Sequence, residues 1–232
     1  MFAASVSPRP GRCSAVAPVP GITAKQETAP LRSFTLALSA VAGFWLSGLA
    51  AAADPGTSPA EAKVLAVCQA CHGPVGDSET PAYPRLNGQQ AGYIAEQLKR
   101  FRDRKRDDTH ARAFMWGTAR GFDESLMTGL GAYFARQKPT PPQTGGALAA
   151  EGEKLFANGD QTRGLLACQQ CHGKAGEGSG VMPRVAGQHS AYLRMMLGVF
   201  RSGLRRNAMM SAAAKSLTDH QIEALSSYLA ND

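Results

Sequence analysis

The sequence predicts an all-α protein made of two tandem copies of one small helical domain. Three observations carry that expectation. Cys68-Gln69-Ala70-Cys71-His72 recurs one hundred residues later as Cys168-Gln169-Gln170-Cys171-His172. After each copy the apolar residues return at helical spacing. Between the copies, residues 137–146 hold Pro139, Pro141, Pro142, Gly145 and Gly146, which continue neither helix nor strand and read as a linker.

Taken in order, residues 1–30 are rich in Pro, Ala and Ser without an apolar period, so they read as a leader extension or a mis-assigned start. Arg32, the apolar run from Phe34 to Leu49 and Ala51-Ala52-Ala53 then match a secretory signal cleaved before Asp54. An uncleaved membrane anchor is the alternative. The expected divisions are a leader over 1–53, a first domain over 54–136, the linker over 137–146 and a second domain over 147–232. Each domain reads as a helix ending in the cysteine motif, a Pro/Gly-rich loop, a middle helix, a second loop and a final helix.

The copies match well beyond the cysteines. Tyr83-Pro84-Arg85-Leu86-Asn87-Gly88-Gln89 answers to Met182-Pro183-Arg184-Val185-Ala186-Gly187-Gln188. In the middle helices Tyr93, Ile94, Leu98 and Phe101 answer to Tyr192, Leu193, Leu197 and Phe200, a stripe expected to face the core. In the final helices Met127, Leu130, Tyr133 and Phe134 answer to Ile222, Leu225, Tyr228 and Leu229. Asp123 reads as the N-cap of the first of these, and Thr218 with Gln221 as a capping box at the second.

C-x-x-C-H is the pattern that attaches a c-type haem. Two thiols one helical turn apart reach the two vinyl groups of one porphyrin, and the adjacent imidazole then lies beneath the iron. The expectation is two covalent haems c, held by Cys68 and Cys71 and by Cys168 and Cys171, with His72 and His172 as axial ligands. A redox dithiol or a zinc site uses the same cysteine spacing. However, no βαβ pattern surrounds either motif, and a zinc site made from both pairs leaves two histidines unexplained. The fifth cysteine, Cys13, lies in the leader, so none remains for a disulfide. Domains of this size bury little core of their own, and the haem is expected to complete it.

The duplication also constrains the second axial ligand. Met115 and Met210 each stand eighteen residues before the matched Tyr133 and Tyr228, and no other methionine recurs. They are the candidate thioether ligands, with apolar filler as the plain alternative. Met127 aligns with Ile222 and reads as core. His110 competes with Met115 in the first domain, while His189 and His220 read as surface histidines. Pro84 and Pro183 lie twelve and eleven residues after the motif histidines, a placement that resembles class I cytochromes c, and the resemblance implies that their carbonyls receive the imidazole N–H and orient the ring. Arg85 and Arg184 beside them are either propionate partners or solvated loop residues.

With the Glu151-Gly152-Glu153-Lys154-Leu155-Phe156 opening, the Pro-Arg-Leu/Val-x-Gly-Gln loops and Ile222 to Tyr228, the mature region resembles the cytochrome c4 family. The resemblance implies two tandem class I cytochrome c domains, each wrapped around one covalent haem. It supports His72 with Met115 and His172 with Met210 as iron ligands, the stretch from Asp107 to Trp116 departing most from the pattern. It further implies a periplasmic electron carrier, not an enzyme, between a quinol-oxidising complex and a terminal oxidase. Two alternatives stay open: an electron-accepting subunit of a dehydrogenase, and a dihaem peroxidase or sulfur-compound oxidase, which needs a displaceable ligand.

Charge excludes little and demands little. The full chain carries +7, but four of its 25 basic and one of its 18 acidic residues precede Asp54, leaving +4. Haem propionates bring that near neutrality, so nucleic-acid binding has no support; redox proteins are the expected partners, with peripheral membrane association compatible. The run Lys99, Arg100, Arg102, Arg104, Lys105 and Arg106 reads either as a docking patch for an acidic partner or as the solvated end of a helix, where cations suit the dipole.

Overall fold

The structure, a computed structural model, describes residues 56–143 and 145–231. The predicted leader, signal run, cleavage point and Cys13 lie outside the described residues. Within these, no helix is long and apolar enough to cross a membrane.

The first domain opens at Ser58, whose hydroxyl accepts from the Glu61 N–H, with Pro59 in the first helical position. Helix α1 (Pro59–Lys63) runs through a π-helical turn at Val64–Cys68 directly into α2 (Gln69–His72), so one rod delivers the cysteine motif. Gly73, at φ 78°, ends it in a conformation that a side chain would oppose. The middle helix α3 (Ala91–Arg102) follows the Pro/Gly-rich loop. Next comes a π-helical turn at Ala111–Met115 that leads into α4 (Trp116–Ala119). Asp123 then caps α5 (Glu124–Ala135) by accepting from the Leu126 N–H at 2.7 Å.

In the second domain α6 (Gly146–Asn158) stops at Gly159, φ 69°, well short of Cys168. The expected single helix ending in the motif is thus broken here. The chain makes an excursion closed by reciprocal backbone bonds between Asp160 and Leu165, each 2.9 Å, before α7 (Gln169–His172) carries the motif. Helices α8 (Ser190–Arg201), α9 (Ala208–Ser216) and α10 (Asp219–Leu229) complete it. The Thr218–Gln221 capping box forms at the start of α10.

The segments read as second loops are therefore partly helical: the π turn with α4 in one domain, α9 in the other. Each domain keeps its own core. Val64, Met127, Leu130 and Phe134 lie in the first, with Met127 buried as expected, and Phe156, Leu165, Ile222 and Leu225 lie in the second. Burying such side chains is worth about 1.5–3 kcal/mol each. It fixes the helices that flank each motif.

Candidate functional site

Both histidines of the motifs are buried, and both make the bond anticipated for them. Nδ1 of His72 lies 2.9 Å from the Pro84 carbonyl oxygen, and Nδ1 of His172 lies 2.9 Å from that of Pro183. A carbonyl oxygen only accepts, so Nδ1 carries the proton in each ring. Nε2 is then the nitrogen with a lone pair to offer. Burial pulls both imidazoles below the ordinary histidine range, against the opposing effect of the carbonyls, and so keeps them neutral near pH 7.

Each loop is pinned in the same way. The Gly76 carbonyl accepts from the N–H groups of Leu86 and Asn87, and the Gly176 carbonyl from those of Val185 and Ala186. Tyr133 adds a bond from its hydroxyl to the Pro74 carbonyl at 2.8 Å. These contacts hold the proline carbonyls against the histidines.

Cys68, Cys71, Cys168 and Cys171 are half-buried and, with both histidines, Met115 and Met210, line one continuous cavity of about 940 Å³. Burial pushes the Cys168 thiol up to about 11 and raises Cys68 as well. That is the reverse of the lowered thiol pKa in a reactive dithiol site. Among the described residues no three His, Cys, Asp or Glu side chains form a metal cage, which leaves the zinc alternative without a donor set.

Met115 ends the π turn and packs on the first core; Met210 lies in the first turn of α9, its N–H bonded to Asn207 Oδ1 at 2.9 Å. His110 is exposed on the cavity rim, its ring 6.2 Å from that of Phe114.

Between the two motifs the cavity wall is charged. Arg106 and Arg205 are buried, and among the described residues Asp108 is the one buried carboxylate. Arg106 Nε donates to Asp108 at 2.9 Å, while Arg205 donates to the Tyr93 hydroxyl at 2.7 Å and to Gln97 at 2.9 Å. Each guanidinium also sits over a phenylalanine, Phe101 or Phe200, within 4.7 Å of the ring centroid. Two buried cations against one buried anion leave a positive surplus in the cavity wall that would offset the negative charge of haem propionates. The apolar cavity, the four thiols that line it, the Nε2 lone pairs of His72 and His172 and this surplus fit two haems c.

Several of these residues escaped the sequence reading. Gln89 and Gln188, although polar, are buried between the domains, and their recurrence at the end of each loop motif was the available signal. His189, read as a surface histidine, is 2 % exposed, with Nε2 2.9 Å from the Ser78 carbonyl across the interface. His220 is on the surface as expected, paired with Glu151. Arg85 is spent on the interface, donating to the carbonyls of Gly187 and Asn231.

Comparison with known proteins places these features in a family. A family model described as Cytochrome c matches residues 149–231. Cytochrome c4 of Thiocapsa roseopersicina is 40 % identical over 176 residues, 73 % of this chain and 88 % of that protein. The thiosulfate dehydrogenase electron acceptor of Thiomonas intermedia is 35 % identical over 209 residues, 87 % of this chain and 91 % of that one. A solved structure of cytochrome c4 from Acidithiobacillus ferrooxidans matches with a TM-score of 0.66 at 38 % identity, over 70 % of this chain and 96 % of its own. With its two helical domains and paired histidine pockets, the chain belongs to the cytochrome c4 family, electron carriers with two haems c on tandem class I cytochrome c domains.

Proposed function

We propose that Cys68 and Cys71 hold one haem and Cys168 and Cys171 the other, and that His72 with Met115 and His172 with Met210 complete the two iron coordination spheres. The observation that carries this reading is the repeated Nδ1–carbonyl bond, which leaves Nε2 of each buried histidine for a metal. When bound, the haem iron supplies one-electron exchange, and a His–Met pair leaves it no open position for a substrate. The residues of the chain orient and shield. Pro84 and Pro183 hold the imidazoles, the apolar walls keep water away, and Arg106 and Arg205 offset the propionate charge. Because both pockets open into one cavity, an electron taken up in one domain has a short way to the other.

The physiological reading is a periplasmic carrier, exported by cleavage before Asp54, that moves electrons from a quinol-oxidising complex towards a terminal oxidase. A second reading makes a dehydrogenase the donor, and the relative named as a thiosulfate dehydrogenase electron acceptor favours it. The test compares oxidation of the purified holoprotein by a terminal oxidase with its reduction by a thiosulfate dehydrogenase. The carrier reading expects fast exchange with such partners through small, transient interfaces. Turnover of peroxide or reduced sulfur compounds by the isolated chain, with an open iron in its spectrum, overturns it. Intact mass after acid denaturation should show both haems still attached to a chain beginning near Asp54.

A further inference from the structure

The bonds that orient His72 and His172 continue past the prolines. The Pro84 carbonyl and the Arg85 N–H belong to one peptide unit, and that N–H donates to Gln188 Oε1 at 2.8 Å. Gln188 Nε2 returns a bond to the Arg85 carbonyl at 3.0 Å. In the other direction the Arg184 N–H, of the peptide whose carbonyl accepts from His172, donates to Gln89 Oε1 at 2.7 Å. Gln89 Nε2 returns a bond to the Arg184 carbonyl at 2.9 Å. Each glutamine is 7 % exposed and comes from the opposite domain.

We propose that Gln188 and Gln89 are positioning residues that set the reduction potential of the haem in the opposite domain, acting through the peptide that holds its axial histidine. This rests on His72 and His172 being iron ligands. An acceptor on the N–H of an amide polarises it and makes its oxygen a stronger acceptor. The oxygen then pulls harder on the Nδ1 proton, and the imidazole becomes a more basic ligand that favours ferric iron. Gln188 thereby lowers the potential of the first haem, and Gln89 that of the second. Each glutamine is fixed by a third bond as well, Gln188 Oε1 accepting from the His189 N–H at 3.2 Å and Gln89 Oε1 from the Gln90 N–H at 3.0 Å, so the acceptor oxygen cannot rotate away without breaking these contacts.

The test uses the dihaem holoprotein with Gln188→Leu, Gln188→Glu and Gln89→Leu. The readouts are a potentiometric titration resolved for each haem and the Nδ1–H proton resonance of each axial histidine in the reduced protein. Gln188→Leu is expected to raise the reduced-to-oxidised ratio of the first haem three- to tenfold at a fixed potential, about 30 to 60 mV, with the second haem unmoved. The His72 Nδ1–H resonance should move upfield. Gln188→Glu keeps the acceptor, so the first haem stays at or below its wild-type potential, and Gln89→Leu mirrors the effect in the second domain.

A merely structural role predicts the opposite sign, because an opened interface admits water and lowers both potentials together. That result, or no shift in either haem, overturns the proposal. Should Gln188→Leu fail to assemble, Gln188→Glu decides, since the relay expects its His72 Nδ1–H resonance to move downfield and an unchanged resonance contradicts it. Failure of the ligand assignment is visible separately, as wild-type protein in which neither Nδ1–H resonance bears the ring-current shift of a haem-bound histidine.

Discussion

The two domains reach their methionines by different lengths of helix. Asp108 and Asn207 occupy matching positions, and each side chain accepts an N–H three residues on, from Ala111 in one domain and from Met210 itself in the other. Yet Met115 and Met210 are equally far from the final-helix tyrosines. The first domain therefore inserts four residues between the cap and its methionine. Four residues turn an α-helix by about 400°, some 40° beyond a full turn. The π-helical turn at Ala111–Met115 lies where that excess has to be absorbed, and Met115 still lines the cavity. A divergence of sequence has been met by local backbone adjustment, leaving the wall of the pocket in place.

That comparison is sharpest at the iron. Met210→Ala is expected to open the second haem and lower its potential by about 100 mV or more, within the ~0.8 V that axial ligation spans, while leaving the first almost unchanged. Met115→Ala should do the reverse. The near-infrared iron–methionine charge-transfer band of the oxidised protein reads both. Retention of the band from both haems in Met115→Ala breaks the equivalence of the two methionines and directs attention to His110.

The helix crossings differ by an exchange of one methyl group. In the first domain Ala60 of α1 meets Gly129 of α5; in the second Gly152 of α6 meets Ala224 of α10. The small partner has moved to the other helix. A Cβ added to Gly129 lies 3.1 Å from that of Ala60, a contact that a small shift relieves and that the better helix propensity of alanine offsets. One added to Gly152 meets the Ala224 carbonyl oxygen and comes within 2.8 Å of Tyr228 Cβ. Gly152→Ala should therefore cost about 3 kcal/mol or more and Gly129→Ala less than about 1 kcal/mol, read by denaturant unfolding.

A third contrast is electrostatic, since Asp108 carries a charge that Asn207 lacks. Burial opposes ionisation of Asp108, but Arg106, the Ala111 N–H and Arg205 together hold its carboxyl below the ordinary range. A depressed carboxyl contributes stability above its unfolded pKa and loses it as pH falls through the folded one. Asp108→Asn keeps the cap, so it should cost about 2 kcal/mol at pH 7, less than a fully stranded buried charge because Arg106 retains Gln97, Tyr192 and Met196 as acceptors. The gap between variant and wild type should close in acid. A gap that persists there assigns the cost to packing.

The legible features were those fixed by local chemistry. Haem attachment needs Cys-x-x-Cys-His in one helical turn, the caps need Asp123 and Thr218, and the proline carbonyls follow each histidine at a nearly constant distance. The break at Gly159 was not legible, because the glycine before Asp160 reads equally as a tolerated helical residue. Helix α9 was missed since Ala208 to Ser216 has helical propensity but no apolar period. The interface lay furthest from view. Whether Gln188, His189 or Arg85 faces solvent depends on where the other domain sits, and no periodicity within one copy contains that.

The smallest effect is expected from the basic run of α3 and the residues after it, whose counterpart in the second domain reads Gly198, Val199, Arg201, Gly203, Leu204 and Arg205. If charge guided docking, this asymmetry would make the first domain the point of entry. Most of the charge is already engaged. Lys99 and Arg102 pair with Glu124 at 3.1 Å, Arg100 donates to the Arg206 carbonyl, and Arg106 is buried with Asp108. Arg104, itself over the Trp116 ring, and Lys105 are the exposed remainder. Replacing both by Ala should change the rate of oxidation by a partner protein by about twofold or less, and about 0.1 M salt, where the screening length is about 10 Å, should remove even that difference. A tenfold loss at low salt that disappears at high salt would instead establish charged docking through the first domain.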